Sequence, residues 1–284
     1  MMDLHVHTYY SDGTKSPEEV VRMAKENGVS VIAITDHDGT DGIPEAMEAG
    51  KKYGVKVIPG IEISVDHRGG EMHILGYNVD LNNEGFIKAV ELMRKRRAER
   101  NEALFKAFAE IGIVITEEDI REFAFSDYIG KPQFARVLQK RGLVESTVEA
   151  FASKDFFKSD VIRRIPREKP KPEEGIRIIS EAGGIPVLAH PFTLRQTMEQ
   201  LDATLNELEG YGLMGMECYY SGHDELQTEG FLELARRHGL MITAGSDYHG
   251  EELDADIRIG TGRNRNLSVS EKELPFQVRP QEDE

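Results

Sequence analysis

The sequence predicts an α/β fold in which strands and helices alternate along two separate parts of the chain. Short stretches rich in β-branched residues precede helix patterns in 1–82, and the same alternation returns in 173–274. Repeated β-α units of this kind are typical of a parallel sheet or barrel. Residues 83–172, between the two parts, have helix patterns without strand patterns and predict an inserted helical cap.

The first part contains four predicted strands and two predicted helices. Polar and apolar residues alternate in Asp3-Leu4-His5-Val6-His7, which is typical of a strand with two different faces. Ser16 and Glu19 form a capping box at the start of the first helix, which is expected to end near Asn27-Gly28. The remaining predicted elements are a strand over 29–35, a helix over 43–53 and strands over 55–64 and 72–77.

The second part continues with three helices, each followed by a strand. The helices are predicted over 173–182, 197–208 and 225–238, and the strands over 185–189, 214–219 and 240–245. In the cap, a long helix over 86–112 precedes shorter helices near 117–123, 133–141 and 146–152. The tail, 275–284, is expected to be poorly ordered.

Charge and composition exclude several classes of protein. The 284 residues include 35 Lys and Arg against 51 Asp and Glu, and the resulting net charge of −16 argues against coating of long nucleic acid or anionic membranes. The apolar runs are too short to cross a bilayer, and the single Cys218 excludes an intramolecular disulfide. Because His5 leaves no room for a preceding signal peptide, we expect a cytoplasmic protein.

The charge is divided unevenly between the predicted cap and the rest of the chain. Residues 88–171 hold 19 Lys and Arg against 14 Asp and Glu, whereas the remainder holds 16 against 37. The sequence therefore predicts a mildly basic cap on a strongly acidic body.

Histidine and carboxylate residues recur where predicted strands end. There are six imidazoles and three carboxylates: His5, His7, Asp12, His37, Glu62, His73, His190, Asp247 and His249. In a parallel barrel the strand ends share one face, so these groups are expected to meet. An isolated histidine in a strand is more often structural, but this recurrence favours a metal site. Nine ligands exceed the needs of one ion, and nitrogen and oxygen donors suit Mn, Fe or Zn.

These motifs resemble those of the PHP superfamily, named for polymerase and histidinol phosphatase. The residues that carry the resemblance are Asp3-Leu4-His5-Val6-His7, Ser11-Asp12-Gly13, Thr35-Asp36-His37-Asp38, Gly60-Ile61-Glu62, His73, Ala189-His190-Pro191 and Gly245-Ser246-Asp247-Tyr248-His249. The helical insertion between His73 and His190 is similar to that of the branch that hydrolyses nucleotide phosphates.

The resemblance implies a distorted (β/α)7 TIM-like barrel that holds three divalent metal ions. In this sequence, the first ion would be held by His5, His7, Glu62 and Asp247. Glu62 would bridge to a second ion, completed by His73 and His190, and the third ion would be held by Asp12, His37 and His249. A hydroxide that bridges the first two ions would attack phosphorus directly.

Five further residues are candidate substrate contacts. Arg195 follows His190 by five residues, on a loop expected above the metals, and His223 resembles a phosphate-contacting or proton-donating position of the nucleotide branch. Arg97 and Arg100 share one face of the basic cap helix, and Lys131 lies in a motif that resembles one in related caps. The alternative for each is a solvated surface residue.

The resulting functional prediction is a metal-dependent phosphoesterase with a small phosphorylated substrate. A nucleoside 5′-monophosphate, a nucleoside 3′,5′-bisphosphate or the 5′ end of a short oligonucleotide is favoured. Histidinol phosphate is the alternative substrate, and a non-catalytic module that binds nucleic acid or protein through the basic cap is the alternative class. Because all nine ligand positions keep the expected residue type, the sequence favours the enzyme.

Overall fold

The computed structural model describes residues 1–166 and 168–278. Among these residues, seven strands form one sheet and are hydrogen-bonded in chain order. The strands are β1 (Met2–Val6), β2 (Val31–Ile34), β3 (Lys56–Val65), β4 (Met72–Tyr77), β5 (Ile185–Leu188), β6 (Gly215–Tyr220) and β7 (Met241–Gly245). The sheet curves into an almost closed barrel, which confirms the predicted fold class.

The strand β4 is antiparallel to both of its neighbours, β3 and β5, while the other neighbouring strands are parallel. The sequence pattern had predicted a parallel sheet or barrel, so the direction of β4 differs from the prediction. The connection 66–71 is too short for a crossover helix, so the chain turns back at Gly69-Gly70 and forms a hairpin. The reversal places the start of β4, with His73, at the edge where the parallel strands end.

The two outer strands of the sheet, β1 and β7, approach each other where β7 ends. The amide of Asp247 donates to the carbonyl oxygen of His5 over 2.8 Å, and the amide of His7 donates to that of Tyr248 over 3.0 Å. These hydrogen bonds close the barrel beside two residues of the predicted metal site.

Side chains from six strands meet in one buried cluster inside the barrel: Met2, Leu4, Val31, Ala33, Ile58, Leu75, Tyr77, Val187, Ala189 and Ala244. The C-terminal segment packs against this cluster. The Phe276 ring stacks on Tyr77 with 5.3 Å between centroids, and the Asn78 side chain donates to the Gln277 carbonyl over 2.8 Å. Residues 275–278 therefore contact the barrel, and residues 279–284 lie outside the described residues. The poorly ordered tail over 275–284 stays a prediction.

The helices occupy the positions that the sequence predicted. In chain order they are α1 (Pro17–Glu26), α2 (Ile43–Tyr53), α3 (Glu84–Glu110), α4 (Glu117–Arg121), α5 (Lys131–Lys140), α6 (Thr147–Ala152), α7 (Asp160–Arg163), α8 (Pro172–Glu181), α9 (Met198–Gly210) and α10 (Glu225–Arg237). The capping box of Ser16 and Glu19 begins α1 as expected. Each predicted strand or helix is present, with its ends shifted by at most two residues.

Five short elements in the described part of the chain were not predicted from the sequence. They are α7, two 3-10 helices (Pro191–Leu194 and Glu271–Glu273) and the two-residue strands β8 (Ile257–Arg258) and β9 (Gly262–Arg263), which pair as a hairpin. An element of two to four residues is too short for a hydrophobic period to develop, so its sequence carries little signal.

The helices α3 to α7 form the cap and have a hydrophobic cluster of their own. Leu104, Phe108, Phe134, Leu138 and Phe157 are buried in it. The N-terminal half of α3 packs differently, because Phe86, Val90 and Met93 belong to a cluster shared with the barrel. The long helix α3 therefore joins the cap to the barrel.

Among the residues that the structure describes, each helix is too short or too polar to span a membrane.

Candidate metal centre

The nine residues predicted as metal ligands lie together at one edge of the barrel. They form three overlapping groups of imidazole nitrogens and carboxylate oxygens, and His190 joins them through Glu62. His5 belongs to β1, Glu62 to β3 and His73 to β4, of which it is the second residue, while the others follow strands. Three site positions, Asp38, His190 and Asp247, have positive φ values, a strained backbone conformation that tends to occur at functional sites.

The first group contains His5, His7, Glu62 and Asp247. Nε2 of His5 lies 3.1 Å from Nε2 of His7. Oε2 of Glu62 and Oδ1 of Asp247 lie between 3.1 and 3.4 Å from both nitrogens. Two atoms that bind one tetrahedral ion at about 2.1 Å are themselves about 3.4 Å apart. The spacing therefore fits four ligands of a single ion.

Glu62 connects the first group to the second. The second group contains His37, Glu62 and His73. Oε1 of Glu62 lies 2.8 Å from Nδ1 of His73 and 2.9 Å from Nε2 of His190, while Oε2 lies 3.2 Å from Nε2 of His7 and 3.0 Å from Nδ1 of His37. Burial raises the pKa of Glu62, but the charges of His37, His73 and His5 outweigh burial and hold that pKa well below its usual range. An ionised carboxylate with one oxygen toward each group is suited to bridge two ions.

The third group contains Asp12, His37 and His249, with His7 at its edge. Oδ1 of Asp12 lies 3.1 Å from Nε2 of His249, and Oδ2 lies 3.7 Å from Nε2 of His37. Burial lowers the pKa of both imidazoles, but neighbouring carboxylates raise the pKa of His37 to about 9 and that of His249 to about 10. The carboxylates that favour protonation of these two histidines would also attract a metal cation.

Three atoms of the site are buried and have no hydrogen-bond partner among the described residues. They are Oδ1 of Asp12, Nδ1 of His37 and Oε2 of Glu62. A buried polar atom without a hydrogen bond costs free energy unless something else satisfies it. Nitrogen and oxygen donors at ligand spacing can be satisfied by divalent ions, so the residues present fit metal binding.

Glu217, which was not predicted from the sequence, is hydrogen-bonded to two of the candidate ligand residues. Its Oε1 lies 3.0 Å from Nδ1 of His5, and its Oε2 accepts the amide of His190 over 2.8 Å. A carboxylate that accepts from Nδ1 fixes the imidazole tautomer and turns the Nε2 lone pair toward the ligand group. The signal available was an acidic residue between Met216 and Cys218 in a predicted buried strand.

Tyr220 and His223 lie next to each other near the first group. The hydroxyl of Tyr220 donates to Oδ2 of Asp247 over 2.8 Å. Nδ1 of His223 donates to the carbonyl oxygen of Cys218 over 3.0 Å, and Nε2 is buried without a hydrogen-bond partner in the described part of the chain. Burial lowers the pKa of His223 to about 4, so the imidazole is neutral at pH 7. His223 is buried, not a solvated surface residue.

The cap and the barrel edge enclose a cavity of about 230 Å³, here called the cationic cavity. It contains three of the predicted ligands and five cationic residues, and these eight are Asp12, His37, His73, Arg96, Arg97, Arg100, Lys131 and Lys169. The structure thus brings Arg97, Arg100 and Lys131 together beside the ligands. Arg195 is exposed, in a loop with a φ of 56°, and lies outside this cavity.

Arg97 is held in place at the wall of the cationic cavity. Its guanidinium lies over the ring of Tyr128 at 4.4 Å, donates to the Tyr128 hydroxyl over 2.8 Å and pairs with Asp38. In the same region Gln133 caps α5, because its Oε1 accepts the amide of Gly130 over 2.9 Å. Gln133 thus has a structural role in the cap.

Arg136 on α5 is a second residue that the sequence interpretation missed. Its side chain is buried, and Nη2 donates to the carbonyl oxygen of Asp12 over 3.4 Å. It lines a cavity of about 240 Å³ that also contains Asp12, Asp247 and His249. Arg136 therefore ties the cap to the loop that carries a predicted ligand.

A nearly closed α/β barrel that gathers six imidazoles and three carboxylates at one edge defines a class of metal-dependent hydrolases. The PHP domain matches residues 3–156, and the chain belongs to the PHP family. It is a metal-dependent phosphoesterase.

Three relatives illustrate the activities found with similar sequences. The 5′-3′ exoribonuclease Rnm of Escherichia coli is 31% identical over 252 residues, which cover 87% of this chain and 84% of the relative. A phosphoribosyl 1,2-cyclic phosphate 1,2-diphosphodiesterase of Eggerthella lenta is 31% identical over 261 residues, 88% and 94% of the two chains. A 3′,5′-nucleoside bisphosphate phosphatase of Chromobacterium violaceum is 27% identical over 249 residues, 87% of each.

A crystal structure with the same fold is that of a Bifidobacterium adolescentis protein described as a metal-dependent phosphoesterase. It superposes with a TM-score of 0.82 and 32% identity, and the alignment covers 96% of this chain and 93% of the other. The similarity therefore includes the cap as well as the barrel.

Proposed function

We propose that this phosphoesterase binds three divalent ions and hydrolyses a phosphate ester of a nucleotide. The favoured substrates are a nucleoside 3′,5′-bisphosphate, a nucleoside 5′-monophosphate and the 5′ end of a short oligonucleotide. The observation that carries the proposal is the position of Glu62, whose two oxygens face different imidazole groups beside the cationic cavity. The names of the relatives, an exoribonuclease and a bisphosphate phosphatase among them, support nucleotides.

The nine ligands divide in this proposal as the resemblance implies. His5, His7, Glu62 and Asp247 would hold the first ion, Glu62, His73 and His190 would hold the second, and Asp12, His37 and His249 would hold the third. When bound, Mn, Fe or Zn ions would activate a water molecule and neutralise charge on the phosphoryl group. Glu217 keeps Nε2 of His5 directed toward this centre, and Tyr220 orients Asp247.

The cap supplies the second part of the proposed substrate site. Arg97, Arg100 and Lys131 bind a phosphate of the substrate other than the one that is hydrolysed, since a guanidinium or an ammonium group readily pairs with phosphate oxygens. Arg195 is proposed to contact a longer substrate outside the cavity. With a pKa of about 4, the imidazole of His223 is neutral at pH 7. His223 is therefore proposed to contact the substrate and not to donate a proton.

The test compares phosphate release from four substrates by protein reconstituted with Mn²⁺: adenosine 3′,5′-bisphosphate, adenosine 5′-monophosphate, a 5′-phosphorylated oligonucleotide and histidinol phosphate. We expect kcat/KM for at least one nucleotide to exceed that for histidinol phosphate by tenfold or more. Element analysis of the purified protein identifies the ions and their number.

Three results would contradict the proposal in different ways. A preference for histidinol phosphate would support the alternative substrate. Tight nucleotide binding without hydrolysis by fully metallated protein would support the alternative class, a binding module. Full activity after chelation and dialysis would remove the metal centre from the reaction.

A further inference from the structure

A second and larger cavity, of about 680 Å³, adjoins the cationic cavity at Arg97. His37, Asp38 and Arg97 line both cavities. The two cavities therefore meet at a predicted ligand of the third group. Their partition is the Arg97 side chain, which is fixed between Asp38 and Tyr128.

Aromatic side chains dominate the apolar part of the larger cavity, here called the aromatic cavity. They are Tyr9, Tyr10, Phe105, Phe125 and Tyr128. The rings of Tyr9 and Phe125 have centroids 6.3 Å apart, and Phe125 is 60% exposed although it is fully apolar. The loop that carries Phe125 is tied to the ligand loop, because the Ser126 hydroxyl donates to the Tyr9 carbonyl over 2.8 Å. Exposed aromatic faces held at fixed positions are surfaces on which nucleobases stack.

The charges of the two cavities differ in sign. Two arginines and five carboxylates line the aromatic cavity. Three of the carboxylates are paired, Asp41 with Arg94, Asp38 with Arg97 and Glu117 with Arg121. The remaining two, Glu102 and Asp127, repel a phosphate and can accept hydrogen bonds from the amino groups of a base. Phosphates are thus directed to the cationic cavity and kept out of the aromatic one.

We propose that the aromatic cavity binds the nucleobase of the substrate, with the ribose at the Asp38–Arg97 partition. A nucleoside 3′,5′-bisphosphate carries three substituents on one ribose, two phosphates and a base. Three subsites of matching chemistry meet at the partition: the metal ligands, the cationic cavity and the aromatic cavity. The volume of the aromatic cavity, about 680 Å³, lies within the range of about 300–1,000 Å³ that is common for small-molecule pockets. This inference rests on the proposed function and identifies the nucleobase as the part of the substrate that the aromatic cavity recognises.

The chain contains no tryptophan, which allows a direct test of stacking. Phe125→Trp introduces a single indole at the cavity, and we expect adenosine 3′,5′-bisphosphate to quench its fluorescence in a saturable manner, measured by stopped flow before turnover. Ribose 5-phosphate, which lacks a base, should leave the fluorescence unchanged. Val114→Trp is the matched control, because Val114 is an exposed cap residue outside both cavities.

A second variant tests the contribution of the ring to affinity. Phe125→Ala should raise the KM for adenosine 3′,5′-bisphosphate by about tenfold or more, since stacking on one aromatic ring contributes roughly 1–3 kcal/mol. The KM for ribose 5-phosphate should stay the same, because that molecule has no base to stack.

Failure of this inference is distinguishable from failure of the proposed function. An unquenched indole in a Phe125→Trp protein that still hydrolyses the bisphosphate would overturn the nucleobase site and leave the activity intact. Equal increases in KM for both substrates in Phe125→Ala would also overturn it. Absence of phosphate release from every nucleotide by the unmodified protein would instead refute the proposed function.

Discussion

The carboxylate of Glu217 lies 3.0 Å from Nδ1 of His5, and both side chains are completely buried. Its second oxygen accepts the amide of His190, so one side chain orients residues from two of the three proposed ligand groups. This contact links the barrel core to the metal centre.

Glu217→Gln should weaken metal binding without unfolding the barrel. The amide keeps the size of the carboxylate but has no charge and only one acceptor oxygen, so one of the two donors, Nδ1 of His5 or the amide of His190, then faces an NH2 group. Loss of such a partner typically lowers metal affinity or activity by about 10–100-fold. The measurements are ion content after dialysis against a competing chelator and the rate of phosphate release. Glu229→Gln, on the exposed surface of α10, is the control, and an unchanged ion content in Glu217→Gln would contradict the prediction.

Lys131→Met should impair binding of substrates that carry a second phosphate. The substitution keeps the length of the side chain and removes the charge that faces the cationic cavity. Loss of one charged hydrogen bond corresponds to about a tenfold or greater increase in KM for adenosine 3′,5′-bisphosphate. The KM for 4-nitrophenyl phosphate, which has a single phosphate, should change little.

The matched control for Lys131→Met is Lys106→Met, at an exposed position of α3 outside the cationic cavity. Equal effects of Lys131→Met on both substrates would show that the residue does not recognise a second phosphate.

Gly245→Ala should destabilise the protein and disturb the metal centre together. A Cβ at this position would overlap Cβ of His5 and lie 2.5 Å from Oε1 of Glu217. Overpacking in a core costs about 1–3 kcal/mol, which is measurable by denaturant unfolding. Gly210→Ala is the control, because no described atom lies within 4 Å of the added carbon, and its stability should change by less than about 0.5 kcal/mol. Equal stability of the two variants would refute the packing argument.

His238→Gln should lower stability more at acidic than at alkaline pH. Nδ1 and Nε2 of His238 each lie 2.7 Å from a carboxylate oxygen, of Glu209 and Asp202 respectively, so the ring is favoured in its doubly protonated form. Burial lowers the pKa of His238, but the two hydrogen bonds raise that pKa by a larger amount, so the net pKa is above the ordinary value of 6.5.

The pH dependence follows from the sign of this shift. A raised folded-state pKa contributes stability that is complete below pH 6.5 and is lost as the pH rises through the folded-state value. The difference in Tm between His238→Gln and the unmodified protein should be about 2–4 °C at pH 6 and shrink at higher pH. His67→Gln is the control, because burial lowers the pKa of His67 and its difference should not grow toward acid. A difference for His238→Gln that is independent of pH would contradict the ion pairs.

Local patterns in the sequence were sufficient for the helices, the strands and the metal-ligand residue types. Capping boxes such as Ser16 with Glu19 involve residues three apart, and polar and apolar residues alternate every two positions in a strand. Both patterns can therefore be recognised in a single sequence. The nine candidate ligands were recognisable because each stands beside a strand that could itself be predicted. The proposed assignment of these residues to three ions remains a prediction.

Only the tertiary structure decided which way β4 runs and which residues surround the ligands. Glu217 and His5 are separated by 212 positions, and Arg136 reaches Asp12 across 124, so neither contact leaves a local pattern. The same holds for the aromatic cavity, whose walls come from the loops after β1 and β2 and from the cap. The sequence determined what chemistry was available, because residue types and short periods are local. Packing determined where that chemistry meets, because it depends on contacts between distant parts of the chain.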